Sequence, residues 1–386
     1  MTGTIVKVCT PVSSDVYDVV IGGGALDNAG SLIAGLPGNG VRRAAVVSNK
    51  TVFSFYGDRL VASLRAAGIE AVVHLIGDGE RFKNFRTLEK TLEHFSRSGI
   101  TRTDAVAALG GGVVGDLAGL AASLHLRGIP FINIPTTLLA MLDASVGGKT
   151  GVNSKYGKNL IGTIRQPAAV LVDVSALATL PQRHIRSGLY EAVKHGALSG
   201  KKLLGRNSRL IELLSKRHHG LLSLDDPSEI SDLISENIAF KASIVMGDPN
   251  EAITKAGPRS RKTLNFGHTL AHAIEKATDY RGILHGEAVG YGILFAAELS
   301  KKLANCAKED VELLNDVVHR VGPLPSLAGV EFENVIRAFG LDKKNIGGYL
   351  QMVLLRGIGK PIVVQIGRTE RRVVENTLKH FFRKQL

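Results

Sequence analysis

Short apolar runs alternate with helical stretches through the first half of this sequence, and that alternation constrains the fold more than any other feature. The predicted strands cover residues 44–47, 71–76, 105–109, 131–134 and 169–172. Helices are predicted between them at 52–67 and 85–96. Parallel strands need a crossover connection, and a helix is the usual one. The pattern therefore predicts an α/β domain with a Rossmann-like parallel sheet.

The second half of the sequence has a different period. From about residue 185, apolar residues recur at spacings of three and four, most clearly over 270–303, which predicts a mainly α-helical domain. Two late apolar runs, 352–355 and 362–366, are predicted to pair as a hairpin. A chain of 386 residues suits two domains. We expect the α/β domain over residues 1–184 and the helical domain over residues 185–386.

Cysteine usage and hydropathy indicate the compartment. The spacing of Cys9 and Cys306 favours neither a disulfide framework nor a metal site, which fits a reducing compartment. The N-terminal residues lack the pattern of a signal peptide. No apolar run reaches the ~18 residues expected of a membrane span. We therefore expect a cytoplasmic protein with no membrane partner.

The net charge of +13 leaves two interpretations open. Nucleic-acid binding is not expected, because no recognisable reading module occurs and aromatic residues make up only 5% of the chain. One interpretation is a basic surface, to which residues 368–384 contribute as a solvated helix face. The other is an anionic small substrate, because a basic cleft attracts anions.

A glycine-rich turn follows the predicted strand at 105–109. Gly110, Gly112 and Gly115 have the spacing of a dinucleotide fingerprint, in which glycine lets a pyrophosphate approach the amide groups at a helix N-terminus. The fingerprint also expects an acidic residue about 20 positions later, and residues 132–136 contain none. A tight structural turn therefore remains an alternative. The acidic turn at residues 78–83 is the candidate partner for a ribose.

The loop at 146–153 combines glycines with a lysine, but its spacing is not that of a P-loop. Two hydroxyls, a carboxylate, a further lysine and an amide lie near it in the sequence, and small residues, amides and lysines together suit phosphate recognition. These residues are Thr136, Thr137, Asp143, Lys158 and Asn159. A solvent-exposed loop without ligand remains the alternative.

Three histidines indicate a metal site. His268 and His272 share a helix face at a spacing of four, and His285 follows them. A catalytic zinc keeps three protein ligands and an open position for substrate oxygen. Glu191, on a predicted helix, is a candidate carboxylate ligand, and a solvated helix carboxylate is its alternative interpretation.

Taken together and in order, these segments resemble the 3-dehydroquinate synthase family over nearly the whole chain. The matching segments are residues 78–83, 109–117, 134–139, 146–153, 157–162, 264–269 and 285–289. The family converts 3-deoxy-D-arabino-heptulosonate 7-phosphate to 3-dehydroquinate and phosphate in the shikimate pathway, on the way to chorismate and the aromatic amino acids. The route is transient oxidation by NAD, phosphate elimination, reduction and aldol cyclisation, and the enzyme is a carbon–oxygen lyase. The resemblance thus implies NAD, one divalent metal (zinc or cobalt), an anionic sugar-phosphate substrate and a homodimer.

The resemblance also assigns roles by position. The implied metal ligands are Glu191, His268 and His285, with His272 beside the metal but not bound to it. The implied substrate residues are Arg127, Asp143, Lys149, Asn159, Lys194, Lys241, Arg261, Asn265, His272 and Lys343, or Lys344 in place of Lys343. The implied NAD contacts are Asp78, Gly79, Glu80, Arg81, Phe82, Lys83, Gly112, Val113, Val114, Gly115, Asp116, Thr136, Thr137, Lys149, Lys158 and Thr179.

The sequence departs from the family pattern at 252–260, which makes the spacing before the pocket arginine about six residues longer than usual. We expect Arg261 to be that arginine and not Arg259, because Arg261 lies four residues before Asn265 on a predicted helix.

Three alternatives remain. Another sugar-phosphate cyclase would alter the groups that hold the substrate carboxylate. A metal-dependent polyol dehydrogenase would release NADH, and the loop at 147–153 argues against it. A non-catalytic binding protein would be expected to have lost some of the metal ligands, and all three are present.

Overall fold

A computed structural model of the chain describes residues 4–9, 16–37, 40–200, 202–203, 206–207, 210, 214, 226–252, 254–255, 257–340 and 350–385. The chain divides into two compact units. One comprises Met1–Pro181 with Leu224–Ala242, and the other comprises Gln182–Ser223 with Ser243–Leu386. The single boundary that we expected after residue 184 differs from this division, because a later segment of chain groups with the first unit. Lys241 lies in that segment and forms an ion pair with Asp143 at 3.0 Å.

The first unit is built on a sheet of seven strands. In chain order its strands are β1 (Thr4–Cys9), β2 (Val16–Gly22), β3 (Arg43–Asn49), β4 (Glu70–Ile76), β5 (Ala105–Gly110), β6 (Phe131–Pro135) and, after a separate hairpin of β7 (Lys149–Ser154) and β8 (Gly157–Ile164), β9 (Ala169–Asp173). Across the sheet the order is β1-β2-β9-β6-β5-β3-β4, with only the β1–β2 pair antiparallel. The predicted parallel sheet is confirmed.

The helices of the first unit are α1 (Ala29–Ala34), α2 (Lys50–Ala66), α3 (Phe85–Arg97) and α4 (Gly112–Leu124). The side-chain oxygens of Asn49 and Asn84 begin α2 and α3 by accepting hydrogen bonds from backbone N–H groups at 2.8 and 3.0 Å. Every residue of β5, β6 and β9 is buried. Burial of this kind is typical of parallel strands covered on both faces.

The second unit is mainly helical, as predicted. It begins with α5 (Gln182–Ser199), which is followed by the short strands β10 (Lys202–Leu203) and β11 (Arg206–Asn207). The next long helix is α6 (Pro227–Gly247), whose residues up to Ala242 belong to the first unit and the rest to the second. The later helices are α7 (His268–Ala277), α8 (His285–Leu303), α9 (Lys308–Val321), α10 (Phe332–Gly340) and α11 (Arg368–Gln385). Between α10 and α11, the predicted hairpin is confirmed as β12 (Leu350–Leu355) paired with β13 (Pro361–Ile366).

Some local expectations were incomplete. The helical period over 270–303 did not indicate the break between α7 and α8. The expected loop at 146–153 includes most of β7, one strand of an antiparallel pair. The tail helix α11 is solvated on one face only, since Val374, Leu378 and Phe381 are buried. Among the described residues, no helix has the length and apolar character needed to cross a membrane.

Candidate active site: cofactor and metal regions

Apart from Lys149 and Lys158 in the β7–β8 hairpin, the residues expected to contact NAD follow the carboxyl ends of four parallel strands. The acidic turn 78–83 follows β4, Gly112 to Asp116 follow β5, Thr136 and Thr137 follow β6, and Thr179 follows β9. Open α/β sheets bind ligands outside these carboxyl ends, where the strand order reverses direction. The reversal falls between β3 and β5, which are neighbours in the sheet. Most residues that the sequence indicated therefore lie at the edge of the sheet where open α/β folds bind ligands, which we call the nucleotide-type edge.

The glycine-rich turn leads from β5 into a helix N-terminus. Helix α4 begins at Gly112, directly after β5, so its N-terminal amides face the carboxyl edge of the sheet. A Cβ on Gly115 would lie 3.2 Å from the Asn133 side chain, so this glycine allows the helix to pack close to β6. Both features belong to the dinucleotide fingerprint, and a tight structural turn stays the alternative interpretation.

Lys83 joins the acidic turn to the glycine-rich turn. Its side chain is 5% exposed, and its ammonium contacts the carboxylate of Asp116 and lies 2.5 Å from Oδ1 of Asn159. Burial raises the pKa of Asp116, and the ammonium of Lys83 opposes that rise. Three residues expected at the cofactor and substrate sites are therefore brought together by one buried cation.

The other expected residues of the first unit are more dispersed. Lys149 is exposed at the start of β7, and Arg127 is exposed with a φ of 68°. Asp143 lies within a π-helical turn and receives the ion pair from Lys241. The hydroxyl of Thr179 contacts that of Tyr56, a buried residue of α2.

The second unit brings together Glu191, His268 and His285, one from each of α5, α7 and α8. The Glu191 Oε1 atom lies 3.2 Å from His285 Nε2 and 3.5 Å from His268 Nε2. One ligand atom from each of the three residues lies within 4.8 Å of the others. One carboxylate and two imidazoles form a donor set typical of a catalytic zinc with an open coordination position.

Close helix contacts produce this convergence. A Cβ on Gly286 would lie 1.8 Å from the carbonyl oxygen of Ser187, so α5 and α8 touch one residue away from His285. The Ser187 hydroxyl also accepts a hydrogen bond from the Gly286 N–H at 3.1 Å. Gly267, at φ 77°, begins α7 against Gly292 of α8, where a Cβ would lie 1.9 Å from the Gly267 carbonyl. Glycine at these crossings sets the three ligand side chains side by side.

Charges around the group are strongly coupled. Glu191 is fully buried, and its Oε2 lies 2.5 Å from the ammonium of Lys194. Burial, followed by the repulsion of Lys194, holds the pKa of His268 well below its ordinary value. Burial also opposes the charged form of His285, but Glu275 and Glu191 outweigh it and raise the pKa of His285.

Glu275 is a residue that the sequence reasoning did not assign to the site. Its Oε1 lies 3.4 Å from His285 Nδ1, on the opposite side of the ring from the nitrogen that faces Glu191. Such a carboxylate fixes the tautomer of a metal-binding histidine. The only sequence signal was its position on the helix face of His268 and His272, seven and three residues later.

His272 lies beside the group without joining it. Its ring centroid is 5.4 Å from that of His268 and 6.3 Å from that of His285. Among the described residues, the clustered ligand atoms around His268 are those of Glu191 and His285. This arrangement supports the role implied by the family resemblance over the simple spacing of His268 and His272.

Arg261 and Arg259 differ in burial, since Arg261 is 2% exposed and Arg259 is exposed. The helix that we expected to carry both Arg261 and Asn265 is a separate 3-10 turn, Arg261–Asn265, that ends before Gly267 begins α7. The Arg261 backbone N–H donates to Asp248 at 2.9 Å, and its guanidinium donates to the Pro249 carbonyl at 3.0 Å. Lys343 and Lys344 lie outside the described residues.

Comparison with known proteins decides the family. A model of the 3-dehydroquinate synthase N-terminal domain matches residues 73–187, and a model of the C-terminal domain matches residues 188–345. A 3-dehydroquinate synthase of Nostoc punctiforme is 37% identical over 92% of this chain and 94% of its own length. The chain belongs to the 3-dehydroquinate synthase family. Another relative with the same description, from Nitrosospira multiformis, is 41% identical over 83% of this chain and 84% of its own length.

Solved structures show the same fold. The 2-epi-5-epi-valiolone synthase ValA of Streptomyces hygroscopicus, solved with NAD+ and Zn2+ bound, superposes with a TM-score of 0.82. It is 28% identical, and the match covers 95% of this chain and 97% of ValA. Both the α/β sheet of the first unit and the helices of the second are therefore shared with a sugar-phosphate cyclase.

Proposed function

We propose that this chain converts 3-deoxy-D-arabino-heptulosonate 7-phosphate to 3-dehydroquinate and phosphate, with catalytic NAD and one divalent metal. The observation that carries the proposal is the group of Glu191, His268 and His285, whose ligand atoms lie within 4.8 Å of one another. Family membership supplies the substrate class. The nucleotide-type edge of the first unit supports NAD as the cofactor.

Different residues of the chain are assigned to the metal and to NAD. Glu191, His268 and His285 would hold zinc or cobalt, which when bound polarises a substrate hydroxyl and lowers its pKa. The acidic turn 78–83 and the residues from Gly112 to Asp116 would hold NAD, which when bound would act as a reversible hydride acceptor. The other proposed NAD contacts are Thr136, Thr137, Lys149, Lys158 and Thr179.

Cationic side chains would bind the two acidic ends of the substrate. Lysine and arginine suit phosphate and carboxylate because charge-assisted hydrogen bonds offset their desolvation. Arg127, Lys149, Lys194, Lys241, Arg261 and Lys343 are assigned to this work, with Asp143, Asn159 and Asn265 as polar partners. His272 lies next to the ligand group and is assigned to move a proton at a substrate hydroxyl.

The decisive experiment is turnover with little NAD. We expect substoichiometric NAD to support many turnovers of the heptulosonate phosphate, with phosphate and dehydroquinate formed together and no net NADH absorbance. Stoichiometric NADH would instead identify a polyol dehydrogenase. Activity on a different sugar phosphate alone would identify another cyclase, the alternative that the similarity to ValA favours. The homodimer and the cytoplasmic location stay predictions.

A further inference from the structure

The acidic turn and the β7–β8 hairpin are joined at one residue, Asn153 of β7. Its backbone N–H donates to the Lys83 carbonyl at 2.8 Å. Its side-chain amide donates to Glu80 Oε1 at 2.7 Å, and its Oδ1 accepts from the Asn159 N–H at 2.9 Å. Asn153 thus bonds to three residues that are assigned to ligand binding, although no ligand role is assigned to Asn153 itself.

The hairpin is irregular at this point. Val152 pairs with Ile161 and Ser154 with Gly157, so β8 bulges opposite Asn153. Asn159 lies in the bulge at φ 52°, a left-handed conformation that asparagine tolerates better than most residues. The Asn153 side chain accepts the N–H that the bulge withdraws from the strand ladder. Bulges near active sites commonly redirect a side chain in this way.

Asn159 also forms a side-chain contact with the acidic turn. The Lys83 ammonium lies 2.5 Å from Asn159 Oδ1, so both the backbone and the side chain of Asn159 are fixed. Lys158, the preceding residue, lies 3.9 Å from the same Glu80 oxygen that Asn153 contacts. The conformation of this part of β8 therefore depends on the position of residues 80–83.

We propose that Asn153 is a positioning residue that couples NAD binding to substrate binding. The inference rests on the proposed function, in which the acidic turn contacts NAD and Asn159 contacts the substrate. A ligand that orders one end of this hydrogen-bonded network lowers the entropic cost of ordering the other end. Each ligand then raises the affinity of the enzyme for the other by the same factor.

The test is a matrix of initial rates in which NAD and heptulosonate phosphate are both varied on the metal-loaded enzyme. For the wild type we expect the KM for NAD to be about fivefold or more higher at low substrate than at saturating substrate. This ratio of the two KM values corresponds to the lower end of common coupling energies. In Asn153→Ala we expect that ratio to approach one, and both KM values to rise about two- to tenfold, the worth of ordinary hydrogen bonds. Lys155→Ala, an exposed change in the same hairpin, is the matched control and should keep the wild-type ratio.

A second variant separates the two sides of the network and covers the case in which Asn153→Ala fails to fold. Asn153→Asp keeps the acceptor for Asn159 but places a second carboxylate against Glu80, so we expect the KM for NAD to rise while the KM for substrate stays near wild type. The inference is overturned if a folded Asn153→Ala keeps the wild-type ratio, if the wild-type ratio is one, or if Asn153→Asp leaves the KM for NAD unchanged. A wild type without dehydroquinate activity would instead contradict the proposed function.

Discussion

The two candidate binding regions are built in opposite ways. In the second unit, the metal group takes one side chain from each of three helices, and Glu191 and Glu275 there are 0% and 3% exposed. In the first unit, the cofactor region is a set of turns, and Asp78 and Arg81 are exposed to water. Apart from the buried ammonium of Lys83, the first unit therefore relies on consecutive residues and backbone amides, whereas the second relies on single buried charges.

Burial decides how each region responds to change. A charge in water that loses its partner is solvated again, so exposed ion pairs contribute about 0–1 kcal/mol. A buried charge that loses its partner has no such replacement, and the cost is about 3–5 kcal/mol. We therefore expect single substitutions to disable the metal region, and substitutions of exposed residues only to weaken the cofactor region.

The largest expected effect is that of Glu191→Ala. It removes a proposed metal ligand and the carboxylate that lies 2.5 Å from the Lys194 ammonium. We expect loss of bound metal and at least a ~1,000-fold loss of kcat/KM, with a lower Tm from the uncompensated charge. Metal content, rate and Tm are measured together. Glu298→Ala, a carboxylate of α8 outside the group, is the control, and a Glu191→Ala enzyme that retains metal would break the comparison.

A smaller but still large loss is expected at Arg261. Removing a buried, charge-assisted contact to the substrate should cost about 2–4 kcal/mol, or roughly 30- to 1,000-fold in kcat/KM. Arg259→Ala removes an exposed arginine two residues away and should cost less than about threefold. Both variants are compared at fixed ionic strength. If Arg259→Ala is the crippled variant, burial is not what distinguishes these arginines.

His272→Ala separates metal binding from rate. Because His272 lies outside the ligand group, we expect the variant to keep its metal and to lose about 100-fold in kcat, the lower end of the range for proton-transfer residues. Metal analysis after dialysis and kcat at saturating substrate measure the two effects. Metal loss equal to that of His268→Ala would make His272 a ligand.

The same difference explains what could be predicted from sequence. Strands β3 to β6 and the acidic turn were located correctly because each is encoded by adjacent residues. The metal group depends on the contact between Ser187 and Gly286, 99 residues apart in the chain, and no local pattern encodes it. The residues alone made Glu191 a candidate ligand, and family resemblance selected it over its solvated alternative and implied that His272 is not a ligand.

Two other features escaped prediction for physical reasons. Every residue of β8 is at least partly exposed, and the strand lacks alternation of apolar and polar residues, so the hairpin resembled a loop. Helix α6 has no break in its sequence pattern where the two units divide, between Ala242 and Ser243. Contacts between distant segments decide both features.

The smallest expected effect is that of a substitution in the exposed part of the cofactor region, at Thr51 of α2. Its hydroxyl donates to Asp78 Oδ2 at 2.8 Å, and both residues are exposed. Thr51→Val keeps the branched shape and removes only this bond, which is worth about 0.5–1.5 kcal/mol. If the bond orients Asp78 toward NAD, the KM for NAD should rise about two- to tenfold. The kcat should stay unchanged, because Asp78 is assigned to cofactor binding and not to proton or metal chemistry.

Ser54→Ala is the matched control for Thr51→Val. It removes an exposed hydroxyl three residues later on the same helix. The Ser54 hydroxyl donates to the Thr51 carbonyl and not to Asp78. Its KM for NAD should equal that of the wild type. A Thr51→Val enzyme with a loss as large as that of Glu191→Ala would mean that the turn depends on single contacts as strictly as the buried metal group does. An unchanged KM would mean that Asp78 is oriented by the backbone of the turn alone, since Gly79 at φ 93° already fixes the chain direction there.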